Sequence, residues 1–217
     1  MLVAPSLLAA DSGYYAREIA CVENAGAQYL HLDVMDGHYV PNLSFGPNIL
    51  NGLRRDSRLV FDVHLMIRQP EKHYAAFIAA GADAITIHPH TAADVAGIAA
   101  ACREKGVRFG LALNPADELS GILNWLPLLD ILLIMGIRPG FGGQPMLPGT
   151  TARIRESVRL RESGSGRFLI SVDGGVNLTN AAALQAAGAD ILVAGSAVFG
   201  SPDRQAAVAA LLQPDRQ

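Results

Sequence analysis

The sequence predicts a single α/β domain over residues 1–217, folded as a (β/α)8 barrel of the TIM type. Three near-copies, at residues 25–28, 80–83 and 187–190, each end an alanine-rich helical stretch with a glycine and lead into an apolar strand. Eight apolar segments alternate with helical ones, as in a parallel sheet covered on both faces. With 217 residues, half of them hydrophobic, the chain is long enough for one large core.

The elements follow one another as strand and helix along the whole chain. Runs of branched and aliphatic residues predict eight strands, numbered 1 to 8, near residues 3–8, 29–34, 60–66, 84–88, 108–113, 131–137, 168–173 and 191–194. Helices are predicted between them, for example over residues 70–80, 92–105, 150–162 and 178–187. A doubly wound open sheet is the main alternative, but it usually carries a glycine-rich dinucleotide loop after its first strand, and this sequence has none.

Strand 2 has an unusual polar face. His31, Asp33 and Met35 alternate with Leu30, Leu32 and Val34, so the first three side chains share one face of the strand. A buried strand carries His beside Asp only when something compensates their desolvation. A metal ion, a catalytic role or an ion pair would each do so.

Further polar residues fall where other strands end. Ser6 follows strand 1, His64 and Met66 lie in strand 3, Met135 lies in strand 6 and Asp173 ends strand 7. Catalytic residues of such barrels collect at the carboxyl ends of the strands. Two His and two Asp at this rim predict a site for one divalent metal ion, and mixed N/O ligands suit Zn²⁺, Fe²⁺, Mn²⁺ or Co²⁺ better than Mg²⁺ or Ca²⁺.

His88 and His90 form a second candidate pair at the end of strand 4. Two histidines two positions apart in a strand can hold one metal ion, as in a metallohydrolase. Here Pro89 separates them and Thr91 follows as a candidate helix N-cap, which favours a loop position for His90. His88 could lie behind the predicted site.

Glycine-rich loops follow the late strands and predict phosphate binding. The loop after strand 6 contains Gly140, Gly142 and Gly143, Gly174 and Gly175 follow strand 7, and Gly195 and Ser196 follow strand 8. Barrels often bind phosphate through backbone N–H groups of these late loops. We therefore expect a phosphorylated substrate.

The lysines exclude two classes of enzyme. The chain has two, Lys72 and Lys105, and both fall in predicted helices. A Schiff-base aldolase and a decarboxylase of the orotidine-phosphate type both need a lysine inside the pocket. Proton transfer next to a carbonyl and metal-assisted hydrolysis remain.

The formal net charge of −3 gives no reason to expect nucleic acid or an anionic membrane as a partner. We read no signal peptide and no apolar run of the ~18 residues that a membrane span needs. Cys21 and Cys102 fall in predicted helices and favour free thiols in a reducing compartment. A cytoplasmic protein is expected.

At this point the motifs resemble those of the ribulose-phosphate 3-epimerase family over nearly the whole chain. The matching segments are APSLLA (4–9), HLDVMDGH (31–38), VPN (40–42), DVHLM (62–66), ALNP (112–115), PGFGGQ (139–144), VDGGV (172–176) and AGS (194–196).

The resemblance implies a metal ion held by His31, Asp33, His64 and Asp173, with Asp33 and Asp173 as the two acid/base groups. It implies interconversion of D-ribulose 5-phosphate and D-xylulose 5-phosphate in the pentose phosphate pathway, and a homo-oligomer, dimeric or hexameric. The implied substrate-binding residues are Ser6, His64, Gly140, Phe141, Gly142, Gly143, Gly174, Gly175, Gly195 and Ser196, and the implied pocket-lining residues are Met35, Met66 and Met135.

The sequence departs from the family pattern at the rim. Gly136, Ile137 and Arg138 stand where the family usually has Ser or Thr, Val, and Asn or Glu, and His90 stands where a Glu is common. Gly136 is expected to loosen the base of the following loop, and Arg138 to be exposed. These changes leave open which ketose phosphate is preferred, with an epimerase for D-allulose 6-phosphate as the alternative. A non-catalytic phosphosugar-binding barrel is a separate alternative, against which the intact Asp33 and Asp173 argue.

Overall fold

The computed structural model describes residues 1–213, in which eight parallel strands form one nearly closed barrel. The strands are β1 Leu2–Pro5, β2 Tyr29–Met35, β3 Val60–Met66, β4 Ala84–Ile87, β5 Arg108–Leu113, β6 Ile131–Met135, β7 Leu169–Asp173 and β8 Ile191–Ala194. The sheet order β1-β8-β7-β6-β5-β4-β3-β2 pairs each strand from β2 to β8 with its chain neighbour, and β1 with β8. A parallel bridge between Ser6 and His31 joins β1 to β2 and completes the circle. The predicted (β/α)8 barrel is confirmed; the single-domain prediction runs to residue 217, of which residues 214–217 lie outside the described residues.

Helices connect the strands around the outside of the barrel. They are α1 Tyr15–Asn24, α2 Pro47–Arg54, α3 Tyr74–Ala79, α4 Val95–Glu104, α5 Thr150–Leu160, α6 Ala181–Ala187, α7 Ser196–Phe199 and α8 Arg204–Leu212. The connection from β5 to β6 is instead a 3₁₀ segment, Leu119–Leu128, with Pro127 inside it. Among the described residues, no helix is long and apolar enough to cross a membrane.

Several predicted boundaries were wrong by a few residues. Strand β1 ends at Pro5 because Leu7–Ala9 turn into a 3₁₀ helix, and β4 and β6 end at Ile87 and Met135. The helix predicted over 70–80 is a 3₁₀ turn, Pro70–Lys72, followed by α3. The helix predicted from residue 92 begins at Val95, where the Asp94 side chain accepts the Gly97 N–H, so Asp94 and not Thr91 is its N-cap.

A repeated contact fastens the amino-terminal end of the barrel. The residue before each even-numbered strand accepts, through its side-chain oxygen, a backbone N–H of the preceding odd-numbered strand. We call these four contacts the base clamps: Gln28 to Val3 N (3.1 Å), Asp83 to Phe61 N (2.8 Å), Asp130 to Phe109 N (2.9 Å) and Asp190 to Ile170 N (2.8 Å). In each clamp the residue before the even-numbered strand also donates its own backbone N–H to the carbonyl oxygen of the same residue on the odd-numbered strand.

The barrel interior changes from apolar to polar along its axis. A buried cluster that includes Ala4, Tyr29, Leu133 and Ile191 fills the interior, while the larger core lies between strands and helices. The buried polar side chains His31, Asp33, Asp62 and His64 lie in β2 and β3. The strands therefore present the predicted site at their carboxyl ends.

Candidate metal centre

The register of β2 and β3 produces a checkerboard of His and Asp. His31 is the pairing partner of Asp62, and Asp33 is the partner of His64. Asp173 approaches from β7, three strands away around the barrel through β1 and β8. One ligand atom from each of His31, Asp33, His64 and Asp173 lies within 4.8 Å of the other three. These are the four residues predicted to hold the metal ion, and the cluster has the composition that a divalent cation needs.

Two buried nitrogen atoms indicate that the cluster fits a cation. His31 Nε2 lies 3.3 Å from Asp33 Oδ1, and His64 Nδ1 lies 3.4 Å from the same oxygen. Both nitrogens are buried, and neither has a hydrogen-bond partner among residues 1–213. Buried polar atoms are nearly always satisfied, so unpaired nitrogens around one carboxylate oxygen suggest a missing ligand. Metal coordination by the imidazole lone pairs would satisfy both.

The other nitrogen of each histidine has a partner outside the cluster. His31 Nδ1 lies 2.8 Å from Asp62 Oδ2, and His64 Nε2 lies 2.9 Å from His88 Nε2. The sequence analysis missed Asp62, although a carboxylate two positions before His64 on the same strand face was an available signal. His88 lies behind His64, as the sequence suggested, and does not enter the cavity.

The two carboxylates of the cluster titrate in opposite directions. Burial raises the pKa of Asp33, but the His31 and His64 imidazoles outweigh it and hold this pKa well below its usual range. Burial, followed by repulsion from Asp33, raises the pKa of Asp173 to about 7. Burial lowers the pKa of His31, but Asp33 and Asp62 reverse this and raise it well above its usual value. In the metal-free protein near neutral pH, Asp33 is therefore ionised, while Asp173 is divided between its protonated and ionised forms.

A cavity of about 640 Å³ opens above the cluster. Its walls include Asp33 and Asp173, whereas His31 and His64 lie beneath its floor. The other predicted site residues that line it are Ser6, Met35, Met66, Met135, Gly140, Phe141, Gly142, Gly143, Gly174, Gly175, Gly195 and Ser196. The cavity has the size of a small-ligand site.

Ser6 contacts the cluster directly, because its hydroxyl donates to Asp33 Oδ2 at 2.6 Å. Met35 and Met66 form a buried apolar cluster with Val40 beside the cavity. On one side of the cavity, Ser6 is therefore hydrogen-bonded to the ionised carboxylate of Asp33. On another side, Met35 and Met66 offer polarisable thioethers without exchangeable protons.

Close backbone packing shapes the glycine loops at the other side of the cavity. Gly174 has φ +103°, and a Cβ there would lie 2.4 Å from Ile137 Cγ1. Gly175 has φ +71°, and a Cβ there would lie 2.4 Å from Met146 N. Only glycine fits these positions without displacing the loop that follows β6.

The base of that loop is anchored, contrary to the expectation for Gly136. Gly136 N–H donates to Asp173 O at 2.6 Å, and Gly136 O accepts from Leu147 N–H at 2.7 Å. A Cβ at Gly136 would lie 2.5 Å from Gly174 O. The missing side chain therefore permits a close approach to β7 rather than loosening the loop.

Of the remaining rim residues, Ile137 lines the cavity, whereas Arg138 and His90 lie outside it. Arg138 is exposed, as expected, and its carbonyl accepts from the Gln144 side chain. His90 is exposed with its ring 5.8 Å from that of His88, whose Nε2 is directed at His64. This arrangement does not favour a metal ion shared by His88 and His90.

Sequence comparisons with known proteins agree on one family. The sequence model of the Ribulose-phosphate 3 epimerase family matches residues 2–199. The chain is 42% identical to ribulose-phosphate 3-epimerase of Bacillus subtilis (strain 168), over 95% of each chain. It is 42% identical to the enzyme of that name from Escherichia coli (strain K12), over 93% of this chain and 90% of the other. Among solved structures, 3-hexulose-6-phosphate synthase from Salmonella typhimurium superposes with a TM-score of 0.68 at 18% identity, covering 99% of this chain and 98% of that one, which supports the fold alone.

Proposed function

The chain belongs to the ribulose-phosphate 3-epimerase family of carbohydrate isomerases, and from this we propose that it interconverts D-ribulose 5-phosphate and D-xylulose 5-phosphate, a step of the pentose phosphate pathway. The observation that carries the proposal is that Asp33 from β2 and Asp173 from β7 line one cavity together with the glycine loops. Two carboxyl groups beside one substrate can serve as the base and the acid of a proton transfer.

The proposed reaction moves one proton at each face of the substrate. One carboxylate removes the proton from C3 of the ketose phosphate, and the electron pair of the C–H bond forms the 2,3-enediolate. The other carboxyl group, in its acid form, returns a proton to the opposite face of C3. In the reverse reaction the two groups exchange roles. Because one proton leaves one face and another arrives at the opposite face, Asp33 and Asp173 are proposed to act on opposite sides of the planar intermediate.

A single divalent metal ion is the proposed cofactor, held by His31, Asp33, His64 and Asp173. When bound, it would supply Lewis-acid polarisation of the ketone oxygen. Zn²⁺, Fe²⁺, Mn²⁺ and Co²⁺ all accept two imidazoles and two carboxylates. Ser6 is proposed to touch the substrate through the hydroxyl that now donates to Asp33. His64 was also predicted to touch the substrate, but it does not line the cavity and is proposed here only as a metal ligand.

The glycine loops are the proposed phosphate site. The cavity wall includes Gly140 to Gly143, Gly174, Gly175, Gly195 and Ser196. Because glycine has no side chain, the backbone at the glycines is open to a ligand. Backbone N–H groups of such loops bind phosphate oxygens closely. Met35, Met66 and Met135 would form the dry wall beside the reacting carbons.

Two alternatives remain, of which the rim substitutions raise only the one for a six-carbon substrate. Arg138 and His90 lie outside the cavity, whereas Ile137 lines it. The pentulose phosphates are proposed over D-allulose 6-phosphate because the family and the relatives carry the name ribulose-phosphate 3-epimerase. The two carboxylates disfavour a non-catalytic phosphosugar-binding barrel. A homo-oligomer, dimeric or hexameric, stays a prediction.

Deuterium exchange tests the proposal. Purified protein loaded in turn with each of the four metal ions is incubated in D₂O with D-ribulose 5-phosphate or D-allulose 6-phosphate, and NMR follows deuterium at C3. We expect exchange and epimerisation of the pentulose phosphate, with slower exchange of the hexulose phosphate. Faster turnover of D-allulose 6-phosphate would reverse the substrate assignment. The absence of deuterium exchange with every one of the four ions would contradict the proposed epimerase activity.

A further inference from the structure

We propose that Asp62 is a positioning residue that holds His31 in the orientation and protonation pattern needed to bind the metal ion. The inference rests on the proposed metal centre. Asp62 itself neither lines the cavity nor belongs to the four-residue cluster. Its action on the metal ion would therefore pass through the His31 ring.

The sheet register aims the Asp62 carboxylate at one nitrogen of His31. The two residues are pairing partners on β2 and β3, and His31 Nδ1 lies 2.8 Å from Asp62 Oδ2. The side chains are 0% and 1% exposed, so water does not compete for this contact. An imidazole hydrogen-bonded to a buried carboxylate has little freedom to rotate about its side-chain bonds.

This contact determines which nitrogen remains for the metal ion. With the Nδ1 proton donated to Asp62, a neutral His31 keeps its lone pair on Nε2. Nε2 is the atom directed at the cluster, 3.3 Å from Asp33 Oδ1. Without an acceptor at Nδ1, the ring could carry its proton on Nε2 instead, which would block the ligand atom.

No other described contact accounts for Asp62 as well. Its second oxygen, Oδ1, lies 3.5 Å from Thr86 Oγ1, at the limit of a hydrogen bond. A carboxylate that is 1% exposed requires a strong partner to offset its desolvation, and His31 is the nearest one. The burial of Asp62 is thus explained by the histidine that it orients.

Metal affinity of the isolated protein tests the role of Asp62. Metal-free wild type, Asp62→Asn and Asp62→Ala are titrated with Zn²⁺ against a competing chelator. We expect the dissociation constant to rise about 10- to 100-fold in both variants, as for other partners of metal-binding histidines. In the Zn²⁺-loaded proteins, NMR should show the His31 Nδ1 proton in a hydrogen bond in wild type and not in Asp62→Ala.

The matched control is Asp130→Asn, which makes the same substitution in a base clamp far from the metal centre. It should leave Zn²⁺ affinity unchanged. Circular dichroism and melting curves of the metal-free proteins identify any variant that fails to fold; if Asp62→Ala does, the near-isosteric Asp62→Asn decides. If the folded Asp62 variants bind Zn²⁺ within twofold of wild type, the inference about Asp62 is overturned, while the proposed metal centre is not. A wild type that does not bind Zn²⁺ would overturn the metal centre as well.

Discussion

At the scale of single residues, the same functional group behaves differently at two positions of one cavity. Asp33 accepts from Ser6 and lies beside two imidazoles, so its negative charge is compensated. Asp173 lies at the partly buried end of β7 and experiences the charge of Asp33. The difference arises from neighbours supplied by other strands, because the two residues are chemically identical.

Replacing Asp33 by Asn separates metal binding from proton transfer. The amide keeps the shape and one neutral oxygen ligand but has no basic oxygen, so epimerisation should fall about 10²- to 10⁴-fold or more. Metal binding should be weakened but still measurable by titration. Activity within tenfold of wild type in metal-loaded Asp33→Asn would show that Asp33 is not one of the two acid/base groups.

The raised pKa of Asp173 predicts a pH dependence of stability for the metal-free protein. An unfolded Asp loses its proton near pH 3.8, whereas folded Asp173 keeps it until about pH 7. Between these values the native state binds the extra proton, so this group makes the protein less stable as pH rises, by at most about 1.4 kcal/mol per pH unit.

The comparison with Asp173→Asn isolates this effect, since Asn does not titrate. Urea unfolding of both chelator-treated proteins at pH 5, 6 and 7 should show the stability of wild type falling relative to the variant. Above about pH 7 the difference should level off. Parallel curves for the two proteins across this range would mean that Asp173 is already ionised at pH 5.

At the scale of elements, the base clamps explain why one short motif recurs. Three of the four clamp residues, Gln28, Asp83 and Asp190, close the repeated helix-to-strand motif, in which a glycine ends the helix. Asp130 makes the same contact after the 3₁₀ segment, without the motif. The contact is therefore tied to the start of each even-numbered strand rather than to the helix that precedes it.

Removing one clamp should destabilise the barrel without altering its chemistry. Asp130→Ala leaves the Phe109 N–H without its side-chain acceptor, and we expect a loss of about 1 kcal/mol in urea unfolding, since Asp130 is exposed to water. Turnover at saturating substrate should equal that of wild type. A drop in turnover with unchanged stability would contradict a purely structural role.

Local patterns were sufficient for most elements and for naming the four side chains that the fold brings together in the candidate metal cluster. Strands β3, β5 and β8 have their predicted bounds, and the apolar runs of β5 and β8 end directly at Asn114 and Gly195. The alternation of Asp62 with His64 places it on the same strand face, but its contact with His31 depends on the register between two strands, which no local pattern reveals. Gly136 was misread because its close neighbour, Gly174 O, is distant in sequence.

At the scale of the whole molecule, the metal cluster would join distant parts of the barrel. Its four members come from β2, β3 and β7, on both sides of the closure between β1 and β2. Without a cation, buried imidazoles and carboxylates are held close together with two nitrogens unpaired among residues 1–213. A ligand that binds this arrangement only when the barrel is folded must stabilise the entire fold.

Metal removal should therefore lower the melting temperature of the whole domain. With free Zn²⁺ at a hundredfold excess over its dissociation constant, linkage predicts about 2.7 kcal/mol of added stability. For a chain of this size that corresponds to a rise in Tm of about 5–10 °C over chelator-treated protein. His31→Ala should lose most of this shift, whereas Asp130→Ala should melt lower in both states and keep the full shift. If wild type and His31→Ala respond equally to Zn²⁺, the stabilising ion binds elsewhere than at the cluster of β2, β3 and β7.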